Sequence, residues 1–310
     1  MRKLRPSFTP PDLTARTSYE PGALAHTAPS GTVRAMDSRN TQILDEFQGQ
    51  ALAQGIPAAE VEKWMELVRP FASLTADGDG PVVGRFGGPI MLPADAAEPW
   101  SPLVATIDCA ALPEEATDVP LPPDGKLLLF GYPDHEESGS AVYVPEGTAV
   151  EEHRPASWLS DDVHEDTAEV LREYPQGDIH LSLGVCLPTD GRIPVPPPAY
   201  LAPMPGHPHG EALAELWKDL WDYPTLMLGG HGRSHDFNPV HEAARQAAFS
   251  EESQHPHDPD AVPSNEEDWV LLAQCTIDRA PGADIFWMIR REDLGERRLD
   301  RVRVLVDYNP

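Results

Sequence analysis

Hydrophobic residues recur every three or four positions in the stretch that follows the first 39 residues. That spacing is typical of helices with one apolar face. Gly55 and Pro70 interrupt it, because glycine commonly ends a helix and proline cannot continue one. The pattern therefore predicts a pair of helices within residues 40–69. The two apolar stripes consist of Ile43, Leu44, Phe47 and Leu52, and of Val61, Trp64, Met65 and Val68.

From Val82 onwards the apolar positions alternate or form short runs, which clusters of proline, glycine and aspartate separate. Such runs favour β-strands bounded by turns. Helical stripes at about 211–221 and 239–250 interrupt the strands. Together these elements predict an α+β fold, mainly antiparallel β, preceded by the helix pair. The predicted strands are Val82–Phe86, Leu103–Ile107, Lys126–Tyr132, Ala141–Val144, His180–Leu187, Trp269–Ile277, Ile285–Arg290 and Val302–Val306.

One segment of the β region is echoed later in the chain. Gly87–Gly88 leads to a strand that ends in Thr106–Asp108, and Gly229–Gly230 leads to one that ends in Thr276–Asp278. Paired glycines suit a strand end that needs positive φ angles. The shared order predicts an internal pseudo-duplication, although short apolar strands also resemble one another by chance. The first and second β units would span residues 82–190 and 223–310.

The start of the chain belongs to neither β unit. Residues 1–39 are rich in proline, serine, threonine and alanine and show no apolar period, which predicts a disordered or loosely attached arm. Residues 40–310 would then form one domain. No apolar run approaches the roughly 20 residues of a membrane-spanning helix, and no apolar segment follows the basic start. These features predict a cytoplasmic protein without a membrane partner.

The net charge of −28 is concentrated in the middle of the chain. Residues 41–278 carry 42 acidic and ten basic side chains, whereas residues 279–310 carry seven arginines and six acids. Such an acidic body repels nucleic acid phosphates and attracts basic proteins. The charge therefore predicts a basic protein partner and no nucleic acid. Solubility alone is the alternative, because acidic surfaces keep proteins dispersed.

Histidine pairs are the main candidates for a metal site. Zinc needs three or four ligands in a tetrahedral arrangement, and neither an HExxH spacing nor a cysteine pair supports one here. The sequence therefore predicts neither a metal nor a cofactor. The three cysteines are widely spaced, which favours buried free thiols. The histidine groups are His207 with His209, His231 with His235 and His241, and His255 with His257; the cysteines are Cys109, Cys186 and Cys275.

The second β unit resembles the YwqG-like family, a bacterial family of unknown function, in Trp269–Gln274, Ile285–Leu294 and Leu299–Val302. The first unit resembles the family in Gly87–Pro93, Trp100, Ala105–Asp108 and Leu121–Phe130. The resemblance implies an α+β fold with a large antiparallel sheet and internal pseudo-symmetry. It implies no established reaction. Some relatives resemble members of toxin–immunity gene neighbourhoods.

Two segments depart from the family pattern. Thr106 stands where the family usually has a glutamine before the Ile-Asp pair. Pro281–Asp284 replaces a Trp-Gly-Asp segment before the penultimate strand. The departures fall inside the two β units, so any site that those residues serve in relatives is in doubt in this chain.

Three functional hypotheses remain. The sequence favours a non-enzymatic binding protein, such as an acidic immunity-like inhibitor of a basic partner. The second hypothesis is a small-ligand or metal-binding module with a pocket between the two β units, and the third is a hydrolase with an unrecognised site. No Gly-x-Ser-x-Gly motif or activated cysteine supports the third. The candidate ligand-binding residues are Gly87, Gly88, Trp100, Asp108, Gly229, Gly230, His231, Asp278 and Trp287. For Asp108 and Asp278, turn capping is the alternative role.

Overall fold

This computed structural model describes residues 38–133, 139–155, 165–194, 201–254, 266–277 and 282–309. The helices are α1 (Ser38–Ala53), α2 (Ala58–Met65), α3 (Glu165–Arg172), α4 (Gly210–Leu220), α5 (Pro239–Gln254) and α6 (Arg291–Gly295). The strands are β1 (Arg69–Thr75), β2 (Val82–Phe86), β3 (Ile90–Leu92), β4 (Leu103–Asp108), β5 (Lys126–Phe130), β6 (Ser140–Val144), β7 (Glu151–His153), β8 (Gly177–Cys186), β9 (Arg192–Pro194), β10 (Leu201–Pro203), β11 (Leu226–Gly229), β12 (Trp269–Ile277), β13 (Gly282–Arg290) and β14 (Arg303–Asn309). Short 3₁₀ turns span Cys109–Ala111, Glu266–Asp268 and Leu299–Arg301.

The predicted helix pair is present as α1 and α2, but its two outer boundaries differ from the prediction. Ser38 and Arg39 already belong to α1, although they were assigned to the arm. At the other end, Arg69 begins β1 instead of ending a helix. Pro70 is tolerated there because pairing of β1 with β11 begins only at Phe71. The rest of the predicted arm, residues 1–37, lies outside the described residues.

A ten-stranded sheet dominates the fold, in the order β14-β13-β12-β11-β1-β8-β2-β4-β5-β6. Every pairing within it is antiparallel. Two-stranded sheets form separately from β3 with β7 and from β9 with β10. The prediction of an α+β fold that is mainly antiparallel β is therefore confirmed.

The sheet has the same strand order on both sides of its central β1–β8 pair. Outward from β8 come β2, which leads into Gly87–Gly88, then β4 with Thr106–Asp108, then β5 and β6. Outward from β1 come β11, which leads into Gly229–Gly230, then β12 with Thr276, then β13 and β14. The order agrees with the predicted repeat, while a duplication as its origin stays a prediction.

The two ends of the sheet approach each other. The indole Nε1 of Trp287, on β13, donates hydrogen bonds to the carbonyl oxygens of Phe130 (3.0 Å) and Ser140 (3.1 Å) of the first unit. Glycines make this approach possible, since a Cβ on Gly131 would lie 3.0 Å from Trp287 Cζ2 and one on Gly139 would lie 2.7 Å from Val304. The sheet is therefore nearly closed, and its inner face forms the main hydrophobic core.

The helices α1, α2 and α4 form a layer beside the central strands. The rings of Phe47 on α1 and Trp217 on α4 meet edge to face with centroids 5.7 Å apart. Trp221 continues this aromatic contact to Phe71 of β1, at 5.3 Å. Aromatic pairs in this geometry stabilise beyond their buried area, by about 0.5–1.5 kcal/mol each. The layer thereby fixes β1, from which Arg69 reaches the site described below.

Candidate functional site

A cleft of about 520 Å³ opens where β11 ends at the second glycine pair. We call it the His231 cleft. Its walls combine charged and polar side chains with an apolar surface formed by residues of β12 and β13 together with Ile193 and Met204. The residues that matter most are Arg69, Asp190, His231, Glu266, Glu267 and Trp269.

The glycine pair shapes the cleft through its backbone. Gly229 and Gly230 have φ angles of 71° and 74°, which L side chains rarely adopt. Gly230 donates its N–H to Asp118 Oδ1 at 2.7 Å. There is also no room for a side chain, since a Cβ on Gly230 would lie 2.7 Å from the sulfur of Cys186. The chain therefore turns sharply and places His231 against the start of β1.

His231 is held as a neutral acceptor. Its Nε2 lies 2.8 Å from the carbonyl oxygen of Leu67, and because a carbonyl only accepts, Nε2 carries the proton. Burial, and secondarily the positive charge of Arg69, lowers the pKa of His231 to about 3. The ring is neutral at physiological pH, so its Nδ1 lone pair can accept a hydrogen bond from a ligand.

The rim of the cleft is acidic. The positive charge of Arg69 is compensated by the carboxylate of Asp118, whose Oδ2 lies 3.6 Å from Nε of Arg69. Glu266 accepts from His241 Nδ1 at 2.7 Å. Glu267 forms no ion pair with any residue in the described ranges. The cleft therefore offers an uncompensated carboxylate to a bound cation.

Trp269 forms part of the wall and leaves one donor unused. The side chain is 5% exposed, and its indole Nε1 finds no acceptor among the described residues. The guanidinium of Arg290 lies over the ring, 5.6 Å from its centroid. A buried donor without a partner costs free energy, of the order of 1–3 kcal/mol. Nε1 itself is buried, so an occupant of the cleft does not reach this donor.

A polar network fixes the loop that follows His231. Gln274 bonds the backbone of Arg233 twice, accepting its N–H at 2.9 Å and donating to its carbonyl at 2.8 Å. The carboxylate of Asp307 accepts from Ser234 Oγ and from the backbone N–H of His235. These contacts hold the loop that carries the far wall of the cleft.

Asp284 extends this network across the sheet. Its Oδ1 accepts from Thr276 Oγ1 at 2.6 Å and from Gln274 Nε2 at 3.1 Å. Burial raises the pKa of Asp284, and the two hydrogen bonds oppose that rise. Sequence reasoning did not select Gln274, Asp284 or Asp307. Only Asp284 had a usable signal, since it is the one polar residue of β13 before Arg290.

The predicted site residues do not converge. Gly229, Gly230 and His231 meet at the His231 cleft, whereas Gly87 and Gly88, with φ angles of 60° and 88°, lie at the other unit's turn. Trp100 lines a separate cleft at the seam between the sheet ends. Trp287 is fully buried and bonds across that seam, so it is inaccessible to a ligand.

Asp108 caps a turn, which was the alternative to a ligand-binding role for this residue. Its Oδ1 accepts from the backbone N–H of Ala110 at 3.2 Å, and its Oδ2 lies 2.6 Å from Lys126 Nζ. Asp278 lies outside the described residues.

The cysteines are buried free thiols, as predicted. Burial raises the pKa of Cys109 to about 11 and that of Cys186 to about 12, and it raises the pKa of Cys275 further. Thiols with raised pKa values are poor nucleophiles. Within the described ranges no three His, Cys, Asp or Glu residues are placed to hold a metal ion. In the same ranges, no helix has the length and apolarity to cross a membrane.

No family model matches the chain, and no curated protein matches it significantly. The resemblance to the YwqG-like family therefore stays a prediction.

Proposed function

We propose that this protein is a YwqG-like, non-enzymatic binding protein of the cytoplasm that presents an acidic surface to a basic protein partner, as an immunity-like inhibitor would. In this proposal the His231 cleft receives a lysine or arginine side chain of the partner. The supporting observation is that Glu267, without an ion pair among the described residues, lies in the same cleft as the apolar wall of Trp269 and Leu271. Lysine and arginine combine an apolar stem with a charged end, which matches this lining.

The rest of the lining suits the same occupant. Nδ1 of His231 is an acceptor. Asp190 also lines the cleft, but its carboxylate is already paired with Arg192, whose Nε lies 3.7 Å from Oδ1. The net charge of −28 would attract a basic protein over long distances. Electrostatic attraction of this kind mainly accelerates association, while the buried contacts set the rate of dissociation.

The test uses octalysine as the probe and isothermal titration as the measurement. We expect binding at 20 mM salt that weakens at least tenfold at 200 mM salt, because exposed charges are screened. Glu267→Gln should weaken binding about threefold, since a rim charge contributes under about 1 kcal/mol. The matched control is Glu62→Gln on α2, which makes the same charge change outside the cleft.

The two variants separate the cleft from the overall field. Equal weakening by Glu267→Gln and Glu62→Gln would mean that net charge alone attracts the peptide, and the cleft would lose its role. Binding that persists unchanged at 200 mM salt would contradict acidic recognition altogether.

A small-molecule ligand is the second candidate for the same cleft. The volume of about 520 Å³ is within the range of small-ligand sites, and the neutral ring of His231 supplies an acceptor for a polar ligand atom. Arginine amide and spermidine are suitable probes. A ligand that binds only the folded state raises its melting temperature, so a rise that Glu267→Gln abolishes would favour this candidate.

A further inference from the structure

A second cleft, of about 680 Å³, lies at the seam where the two ends of the sheet approach each other. We call it the Trp100 cleft. The first unit contributes Trp100 and Tyr143, and the second contributes Arg297 from the turn after α6. The cleft is separate from the His231 cleft and shares no lining residue with it.

Arg297 has an unusual backbone conformation. Its φ angle is 59°, and it is the one residue other than glycine with positive φ in the described ranges. Its N–H donates to Leu294 O and that of Arg298 donates to Asp293 O, which closes the end of α6. Glycine or asparagine usually occupies this place, because other side chains are strained there. The arginine at this position therefore carries a backbone strain that glycine would relieve.

The charge of Arg297 is also unusual in so acidic a protein. The neighbouring Arg298 contacts Asp293 at 2.7 Å and also pairs with Glu296. Arg297, in contrast, has no carboxylate within 4 Å among the described residues. Its guanidinium lies over the ring of Tyr143, 5.4 Å from the centroid. The cation is thus held by an aromatic surface inside a cleft and is not neutralised by an acid.

Aromatic rings supply the remaining surface. Trp100 is 65% exposed, which is unusual for so large an apolar side chain. The ring of Tyr143 is held in place because its hydroxyl donates to Asp124 Oδ1 at 2.6 Å. One exposed aromatic ring, that of Trp100, and one guanidinium without a carboxylate partner among the described residues therefore line a single cleft.

We propose that the Trp100 cleft binds a small aromatic carboxylate. The ring of the ligand packs against Trp100, and its carboxylate pairs with the guanidinium of Arg297. Planar guanidinium and carboxylate groups match in a two-hydrogen-bond geometry. Glu98 and Asp300 line the same cleft, although Asp300 also lies 3.7 Å from Arg301. These acids disfavour a ligand that carries a second carboxylate.

The test compares two probes that share one ring. Indole-3-propionate carries a carboxylate, and tryptamine carries an ammonium group in the same position. We expect isothermal titration to give a Kd for indole-3-propionate at least tenfold lower than that for tryptamine. Equal or tighter binding of tryptamine, or no binding of indole-3-propionate at 5 mM, would overturn the proposal.

Substitution of Arg297 separates ligand binding from folding. Arg297→Gly should weaken indole-3-propionate binding at least tenfold, while the melting temperature stays the same or rises because glycine accepts the positive φ. Arg297→Asn provides a second variant whose residue also tolerates this backbone. Arg85→Ala removes the same charge from an exposed residue of β2 outside the cleft lining and should leave binding intact. Retained affinity in Arg297→Gly, or equal loss in Arg85→Ala, would refute the role of Arg297.

Discussion

The two β units use the same backbone arrangement but hold it together with different chemistry. In the first unit, Thr106 of β4 pairs with Leu128 of β5, which pairs with Val142 of β6. At the corresponding register in the second unit, Thr276 pairs with Asp284, which pairs with Asp307. Two apolar positions of one unit are thus carboxylates in the other.

The segments that follow the glycine pairs differ in the same way. After Gly88 the chain packs Ile90 and Leu92 into an apolar cluster with Leu128 and Phe130. After Gly230 the chain is held by hydrogen bonds, such as those from Ser234 and His235 to Asp307. Apolar side chains fill the space in the first unit, whereas the polar loop of the second leaves the His231 cleft. The strand arrangement alone therefore does not create a site; the loop chemistry does.

The largest expected effect comes from placing the second unit's carboxylate in the first. Leu128→Asp puts a charge into an apolar cluster where the side chain is 1% exposed. We expect a loss of about 4 kcal/mol or more in the free energy of unfolding, because no polar partner is present. Urea unfolding measures it. Leu183→Asp, at a position that is 44% exposed, is the control and should cost under about 1 kcal/mol. Equal costs would show that the apolar cluster is not what distinguishes the first unit.

A smaller difference is expected between the glycine pairs. Gly230→Ala should cost about 3 kcal/mol, because its Cβ would meet Cys186 and Phe71 in addition to the strain of a positive φ. Gly88→Ala should cost about 1 kcal/mol, since its Cβ would meet only the movable side chain of Arg85. Chemical unfolding of both variants gives the comparison. If Gly88→Ala proves the more costly, the two turns do not differ in packing as described.

The smallest effect concerns pH. Burial raises the pKa of Asp284 in the folded state above the ordinary aspartate value of about 3.9. The folded protein therefore binds the proton of the Asp284 carboxyl more tightly than the unfolded chain does. This difference adds to the free energy of unfolding at low pH, and the addition is lost as the pH rises through the pKa of the folded state. Asp284→Asn keeps an Oδ1 acceptor for Thr276 and Gln274 but cannot ionise. Urea unfolding should show its stability rising relative to wild type between about pH 4 and pH 7. A constant difference across that range would contradict the expectation.

The long, regular elements could be predicted from the sequence. β12, β13, α4 and α5 were predicted within a few residues because their apolar periods are uninterrupted. β1 was missed because it directly follows α2 and contains Pro70, a residue that disfavours central strands. Strands of three residues, such as β3 and β7, are too short for any period to be visible.

The candidate site was predicted only in part. Gly229, Gly230 and His231 were selected because paired glycines are a local signal. Asp118 and Asp307 were not, because their partners lie 112 and 72 residues away in the chain. A local sequence pattern carries no information on contacts between residues that are so far apart in the chain.

The sequence by itself determined the class of the fold, the positive-φ glycine turns and the acidic character of the protein, since each depends on composition or on neighbours in the chain. The tertiary structure decided which glycine pair borders a cleft. It also decided which charged side chains have no oppositely charged partner among the described residues. The physical reason is that burial and charge pairing depend on distances between residues that are far apart in sequence. Asp284 and Leu128 occupy equivalent strand positions, and only their surroundings give one a hydrogen-bonded network and the other an apolar cluster.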